Sequence, residues 1–276
     1  MLIRPTVLPA LLASALTSGV ACAQTANPLP TVDDAWRFSV GVSAWSPATN
    51  TSTFSTNNAY VGSTQSTVVD NINNTGGFGM FNAEAHKGSW GLMADFVYWQ
   101  INDGVANSTT YINRHTSIYT SEGAYTTQSM YTAAGTYTVL NMNSLYADAL
   151  FGVRYVSSTT SASVTSVITS TSRGQTQQSS ATGYYAAVST STSPIIGMKG
   201  RYRIGESAWF MPFYADIGQG LSGENLTWQT VAGFGRAFSW GDVSLTYRAM
   251  YFELGGAGGL TKYSNYGPQL GATFNF

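Results

Sequence analysis

The sequence predicts an all-β protein, a transmembrane antiparallel up-and-down barrel of about ten strands with short turns at one end and long loops at the other. Three observations carry this. Only 9% of the 276 residues are charged, against about 25% in soluble domains, so much of the surface is suited to something other than water. Beyond residue 25 no stretch of 18 or more apolar residues occurs, which disfavours a helical span. Short segments alternating apolar and polar residues recur along the chain, and a period of two is the mark of a strand with one oily face.

The N-terminus reads as an export signal. Arg4 supplies a positive start, "VLPALLASALTSGV" a short apolar core, and Ala21-Cys22-Ala23 a small-residue cleavage site. Gln24 is then the first mature residue. Cys22 as a lipidated cysteine is disfavoured, because Gly19 stands where such a signal usually has Leu. Cleavage after Ala23 removes the single cysteine and with it any disulfide or thiol chemistry. The expected organisation is a signal peptide over 1–23, a periplasmic segment over 24–35 and a barrel over 36–276.

The first strand is "WRFSVGVSAW" (36–45), with Trp36, Phe38, Val40, Val42 and Ala44 on one face. A polar segment follows (46–76), then "FGMFNAEAH" (78–86), a turn at Lys87-Gly88-Ser89, and "WGLMADFVYW" (90–99). After a Tyr/Thr/Ser segment (102–125) the fourth strand, "TTQSMYTAAGTYTVL" (126–140), alternates only weakly. Asn141-Met142-Asn143 turns into "SLYADALFGVRYV" (144–156). The Ser/Thr run that follows (157–193) fits either strands that extend past the membrane or a loop. The remaining strands are "PIIGMKGRYRI" (194–204), "AWFMPFYADIG" (208–218), "LTWQTVAGFGRAF" (226–238), "VSLTYRAMYF" (243–252) and the terminal "GPQLGATFNF" (267–276).

Most of these segments have the 9–11 residues that a tilted strand needs to cross a bilayer. Short connections alternate with longer ones, the asymmetry of a barrel with tight periplasmic turns and longer outer loops. Hydrocarbon leaves every unpaired backbone group costly, so the sheet must close and the last strand must pair with the first.

Residues "DALFGVRY", "PIIGMKGRYRI" and "GPQLGATFNF" resemble bacterial outer-membrane β-barrel proteins, in particular small exported barrels of largely unassigned role. Leu270, Ala272, Phe274 and Phe276 resemble the terminal signal that such proteins present to the barrel-assembly machinery. The resemblance implies a bacterial outer-membrane location and, as partners, the surrounding lipids, lipopolysaccharide and that machinery.

On the polar faces fall Arg37, Glu84, Asp95, Asp148, Arg154, Lys199, Arg201, Arg203, Asp216 and Arg248. They read either as the lining of a narrow, slightly cationic pore for ions or small solutes, or as ion pairs bracing a filled lumen. Ten strands lie near the eight that leave room only for side chains, far from the 16–18 of open porins. An aromatic girdle is expected from Trp36, Trp90, Trp209, Phe238, Trp240 and Phe274 at the periplasmic interface, with Trp45, Tyr98, Trp228, Tyr251 and Tyr266 at the outer one. Arg236 is expected to snorkel at the membrane edge, leaving Gln229, Gly233 and Gly235 inward.

Other chemistry is thinly represented. His86 is expected exposed or interfacial beside a turn, and His115 lies in a loop without a fixed acid near it in sequence. "GQGLSG" (218–223) matches a dinucleotide fingerprint but lacks its helix and βαβ setting. No metal spacing or nucleophile-elbow motif occurs, so neither a cofactor nor catalysis is expected. The near-neutral charge of -1 speaks against nucleic acid. The alternative to a channel is a recognition or adhesion barrel that binds through the Ser/Thr-rich loops.

Overall fold

The computed structural model describes residues 26–220, 225–256 and 259–276. The predicted signal peptide and part of the 218–223 motif lie outside the described residues. In chain order the elements are β1 (Trp36–Trp45), β2 (Ala48–Phe54), β3 (Tyr60–Ser66), α1 (Val68–Asn73), β4 (Thr75–Lys87), β5 (Trp90–Asn113), β6 (Thr116–Asn141), β7 (Leu145–Ser172), β8 (Gln175–Arg203), β9 (Trp209–Gln219), β10 (Leu226–Phe238), β11 (Gly241–Gly256) and β12 (Gly259–Asn275).

β1 and β4 through β12 pair antiparallel, each with its neighbour, and β12 returns to β1 to close a ring of ten. The closing register sets Val40 opposite Phe274, Val42 opposite Ala272 and Ala44 opposite Leu270. Phe276 extends the seam, exchanging backbone hydrogen bonds with Phe38 at 2.9 and 3.1 Å. The oily face of the last strand therefore joins that of the first in one continuous band.

The alternation read from the sequence decides which way each side chain faces. Phe38, Leu92, Phe151, Ile196, Phe234 and Leu245 point out of the ring and are exposed, whereas Asp95, Asp148, Arg154, Asp216 and Arg248 point in and are buried. This is the reverse of a soluble core, and it fits hydrocarbon outside and an enclosed polar axis within. The periplasmic end has tight turns, with Gly88 and Gly205 at φ 57° and 58°, a backbone region that glycine enters without a Cβ clash.

At the outer end, the expected loop 102–125 is mostly strand, and the run 157–193, which fitted either extended strands or a loop, takes the first form: β5 pairs with β6 up to Asn113 opposite Thr116, and β7 with β8 up to Ser172 opposite Gln175. Four strands thus rise together as a wall far above the membrane band. Their Ser, Thr, Tyr and Val residues favour extended backbone. They carry no clear apolar period because water wets both faces, so nothing selects an oily side.

Segment 46–76 likewise is not a plain loop. After a break at Ser46-Pro47, β2 continues upward along β12 and hairpins into β3. The chain then forms α1, whose N-terminus is closed by a capping box. Thr67 Oγ1 accepts from the Asp70 N–H at 3.2 Å, and the Asp70 carboxylate accepts from the Thr67 N–H at 3.0 Å.

Candidate functional site

The inward faces of the ring converge on the only closed environment a membrane barrel offers its ionised groups, and the charges there meet in pairs. Near the periplasmic end Arg201, on β8, lies 2.7 Å from Asp242 at the start of β11, its guanidinium 4.6 Å from the centre of the Phe210 ring. One level up, Lys199 binds Glu84 directly across the lumen and lies 3.9 Å from Asp148. Asp148 also accepts from Thr138 at 2.8 Å. His86 adds to the cluster, its Nε2 3.3 Å from Glu84.

Higher still, Arg154 and Asp216 form a two-pronged pair, and Arg248 approaches Asp95 at 3.6 Å. Arg203 pairs with Glu206 in a periplasmic turn at 3.3 Å. Such pairs satisfy charges that the low-dielectric interior would otherwise make costly.

Asp242 and Glu206 were not among the expected lumen charges, because both fall in or beside turns. Five of the six cations named from the sequence are ion-paired, Lys199 with two carboxylates. Asp242 reduces the expected cationic bias of the lumen, whereas Glu206 is 95% exposed and lies outside it. Arg37 alone of those cations has no carboxylate within ion-pair distance among the described residues; its Nε and Nη2 are buried without a partner. It faces a cavity of about 590 Å³ at the periplasmic end, into which residues 27–31 of the N-terminal segment also project.

Above the charged levels the lumen turns apolar, which the sequence reading did not anticipate. Trp45, Met80, Val97, Trp99, Met130, Val156, Met250, Phe252, Leu254 and Tyr263 form one buried cluster. They come from β1, β4, β5, β6, β7, β11 and β12, so seven of the ten ring strands contribute. Trp45 and Trp99 meet edge to face at 5.6 Å. A signal existed: each of these residues shares strand parity with a lumen-facing polar residue, as Trp45 does with Arg37 and Trp99 with Asp95.

Two expectations change here. Trp45 belongs inside rather than to the outer girdle; it is only 4% exposed, and its indole N–H donates to the Gly267 carbonyl at 3.2 Å. His86 is buried rather than interfacial, since its parity matches Glu84 and carries it into the lumen. His115, by contrast, stands at the tip of the β5–β6 hairpin.

The other aromatics assigned to the girdle, Trp36, Trp90, Tyr98, Trp209, Trp228, Phe238, Trp240, Tyr251, Tyr266 and Phe274, are exposed or half-buried. Several associate in the outer surface: Trp228 stacks on Tyr251 at 6.1 Å, and Trp240 lies 5.2 Å from Phe274. Arg236 points outward over the rings of Trp209 and Phe238 at 5.8 and 5.4 Å, while Gln229 is buried in the lumen.

Closed ring, lipid-facing apolar band and ion-paired axis together define a transmembrane β-barrel of the outer-membrane type. No known protein family matches the sequence, and no curated protein does. Solved structures similar to it include the outer membrane protease OmpT from Escherichia coli, with 10% identity over 90% of this chain and 99% of that one and a TM-score of 0.43. Ail, the attachment invasion locus protein of Yersinia pestis, matches with 9% identity over 87% and 99% of the two chains and a TM-score of 0.35. A Pseudomonas aeruginosa FadL homologue matches with 8% identity over 87% and 89% and a TM-score of 0.28.

Proposed function

We propose that this chain is a non-catalytic integral protein of the bacterial outer membrane, and that it works by recognition through the wall built from β5 to β8. One observation supports this above others. The lumen is occupied by ion pairs and an apolar layer, whereas the outer halves of four strands are kept paired, and so held in shape, far beyond the membrane band. A barrel used as a conduit needs neither feature.

The exposed wall offers hydroxyl, amide and phenol groups with few charges; Tyr184 and Tyr185 stand out from it. That chemistry suits a neutral glycan, with aromatic faces for sugar rings and hydroxyls for hydrogen bonds. The narrow channel is the second reading, and the periplasmic cavity is what favours it. Lipids and lipopolysaccharide around the outer band, and assembly machinery at the Phe276 end, complete the set of partners in this proposal.

Refolded protein in planar bilayers tests the pair of readings. We expect no conductance steps from the intact barrel, and steps to appear when Trp99, Met130 and Phe252 are all replaced by Ala. In parallel, the intact protein on a glycan array should bind, and a variant with the β5–β6 and β7–β8 hairpins cut back to the membrane edge should not. Steps from the intact protein, or array binding that survives the truncation, would overturn the proposal.

A further inference from the structure

The barrel wall is not sealed all the way up. β1 and β4 pair from Trp36 opposite Lys87 only as far as Ser43 opposite Met80. Above that point β4 continues to Thr75 with β5 as its partner, while β1 ends at Trp45 and the chain breaks at Ser46-Pro47. A gap therefore opens between β1 and β4. α1 is moored at its upper rim, where Ser46 Oγ donates to the Val68 carbonyl at 3.3 Å and Asn71 Nδ2 donates to Thr49 Oγ1 at 3.4 Å.

A cavity of about 410 Å³ occupies this place. Its floor and mouth are lipid-facing side chains, Ala44, Phe78, Leu245 and Leu270, and its inner end reaches Trp45 and Trp99 behind the wall. Leu245 lies about midway between the girdle residues Trp240 and Tyr251 of its own stretch of chain, so the cavity runs from the outer rim down to the middle of the membrane band. The few polar side chains that line it include Asn71, which belongs to α1 at the rim end.

An apolar cavity of this kind is a poor place for water and a good one for an apolar guest. Its volume falls within the roughly 300–1,000 Å³ of ordinary ligand pockets. It opens sideways onto hydrocarbon, and its polar end lies at the level where a lipid leaves its headgroup.

We propose that this gap is a lipid-binding site, in which one acyl chain of an outer-leaflet lipid lies against Leu245 and Leu270 and inserts between β1 and β4 to touch Trp45 and Trp99. Bilayer lipid is the occupant because the mouth is part of the same outward face as the rest of the band. A site for solutes from water would open at the polar end of the barrel instead.

The two tryptophans make the proposal testable. Both are only 4% exposed, and lipid packed around the outside of the wall does not reach them. In full-length protein, Trp36, Trp90, Trp209, Trp228 and Trp240 are replaced by Phe, which leaves Trp45 and Trp99 as the fluorophores. The protein is refolded into phosphatidylcholine vesicles with or without bromine on the acyl chains, and folding is checked by heat-modifiable gel migration.

We expect brominated vesicles to quench the emission, and the added substitution Ala44→Phe, which narrows the mouth, to restore it. Native mass spectrometry of the unaltered protein released from such vesicles should show one retained lipid. Equal emission in the two kinds of vesicle, or quenching unaffected by Ala44→Phe in folded protein, would overturn the proposal. So would quenching by a brominated alkane in unbrominated vesicles with none by brominated lipid, which would make the guest a diffusing solute.

Discussion

Arg154 and Asp216 meet side by side in the barrel interior, Nη1 to Oδ1 at 2.7 Å with a second contact between Nη2 and Oδ2. Arg154 lies on β7 and Asp216 on β9, with β8 between them. The same guanidinium donates to Thr132 on β6 at 3.3 Å and to Thr227 on β10 at 3.1 Å. One side chain thus ties four strands across the lumen, and both partners are fully buried.

Breaking this pair from one side leaves an uncompensated buried charge, whereas removing both ends does not. Arg154→Met should therefore cost about 3–5 kcal/mol, and the double variant Arg154→Met with Asp216→Leu should recover most of that loss. Reversible unfolding by guanidinium in lipid vesicles measures both. Equal destabilisation of the single and double variants would mean that packing, rather than charge, dominates at this site.

The depth of the membrane band yields a second expectation. Phe234 lies on the outward face of β10 between the girdle residues Trp228 and Phe238, and it is 56% exposed. Leu92 also faces outward but is two residues from Trp90 at the periplasmic edge. An arginine near the midplane costs about 2–4 kcal/mol and one near the interface about 0–1 kcal/mol. Phe234→Arg should fall in the first range and Leu92→Arg in the second, as read by unfolding titrations in vesicles.

A third expectation concerns close packing around His86. A Cβ built on Gly91 would lie 2.4 Å from His86 Nδ1 and 2.6 Å from Thr136 Oγ1, and both neighbours are buried. Gly91→Ala must displace the imidazole and should destabilise the barrel by about 1–3 kcal/mol, the usual range for overpacking. Gly79→Ala, where nothing lies within 4 Å, should leave the unfolding midpoint almost unchanged.

The parts of this architecture legible in the sequence are those on which lipid acts. Hydrocarbon on one side and an enclosed axis on the other impose a period of two, so strands such as Leu145–Ser172 announce themselves over their membrane-spanning half. The upper half of the same strand does not, because residues 159–172 are half-buried or exposed on both faces and no force sorts them. The charges were legible for the same reason that the strands were: Arg154 and Asp216 share the polar parity of their strands.

What parity did not reveal was which charge meets which, since that depends on the stagger between strands distant in sequence. Asp242 escaped notice because a residue one step past Gly241 reads as turn. Trp45 was misplaced because tryptophan at a strand end suggests a girdle, although its odd position, like that of Arg37, already turned it inward.

The last expectation is a dependence on pH, and it comes from the outer rim. Glu253 lies on β11 just beyond the girdle residue Tyr251. Burial alone would raise its pKa. That effect is outweighed by the Tyr251 hydroxyl, which donates to it at 2.6 Å, by the Leu226 N–H at 3.2 Å and by Lys262 at 3.3 Å, so the carboxyl is held below its ordinary value of 4.5. A folded-state pKa below the unfolded one means that the charged form stabilises the fold. The contribution is present in full above the unfolded pKa and fades as pH falls through the folded one. Glu253→Gln should therefore be less stable than the natural protein at neutral pH, with the gap between the two narrowing once the pH drops below about 4, near the reference value for glutamate. Unfolding midpoints of both proteins in vesicles between neutral and acid pH test this, and a gap that stays constant down to the most acid point would show that Glu253 acts through its shape rather than its charge.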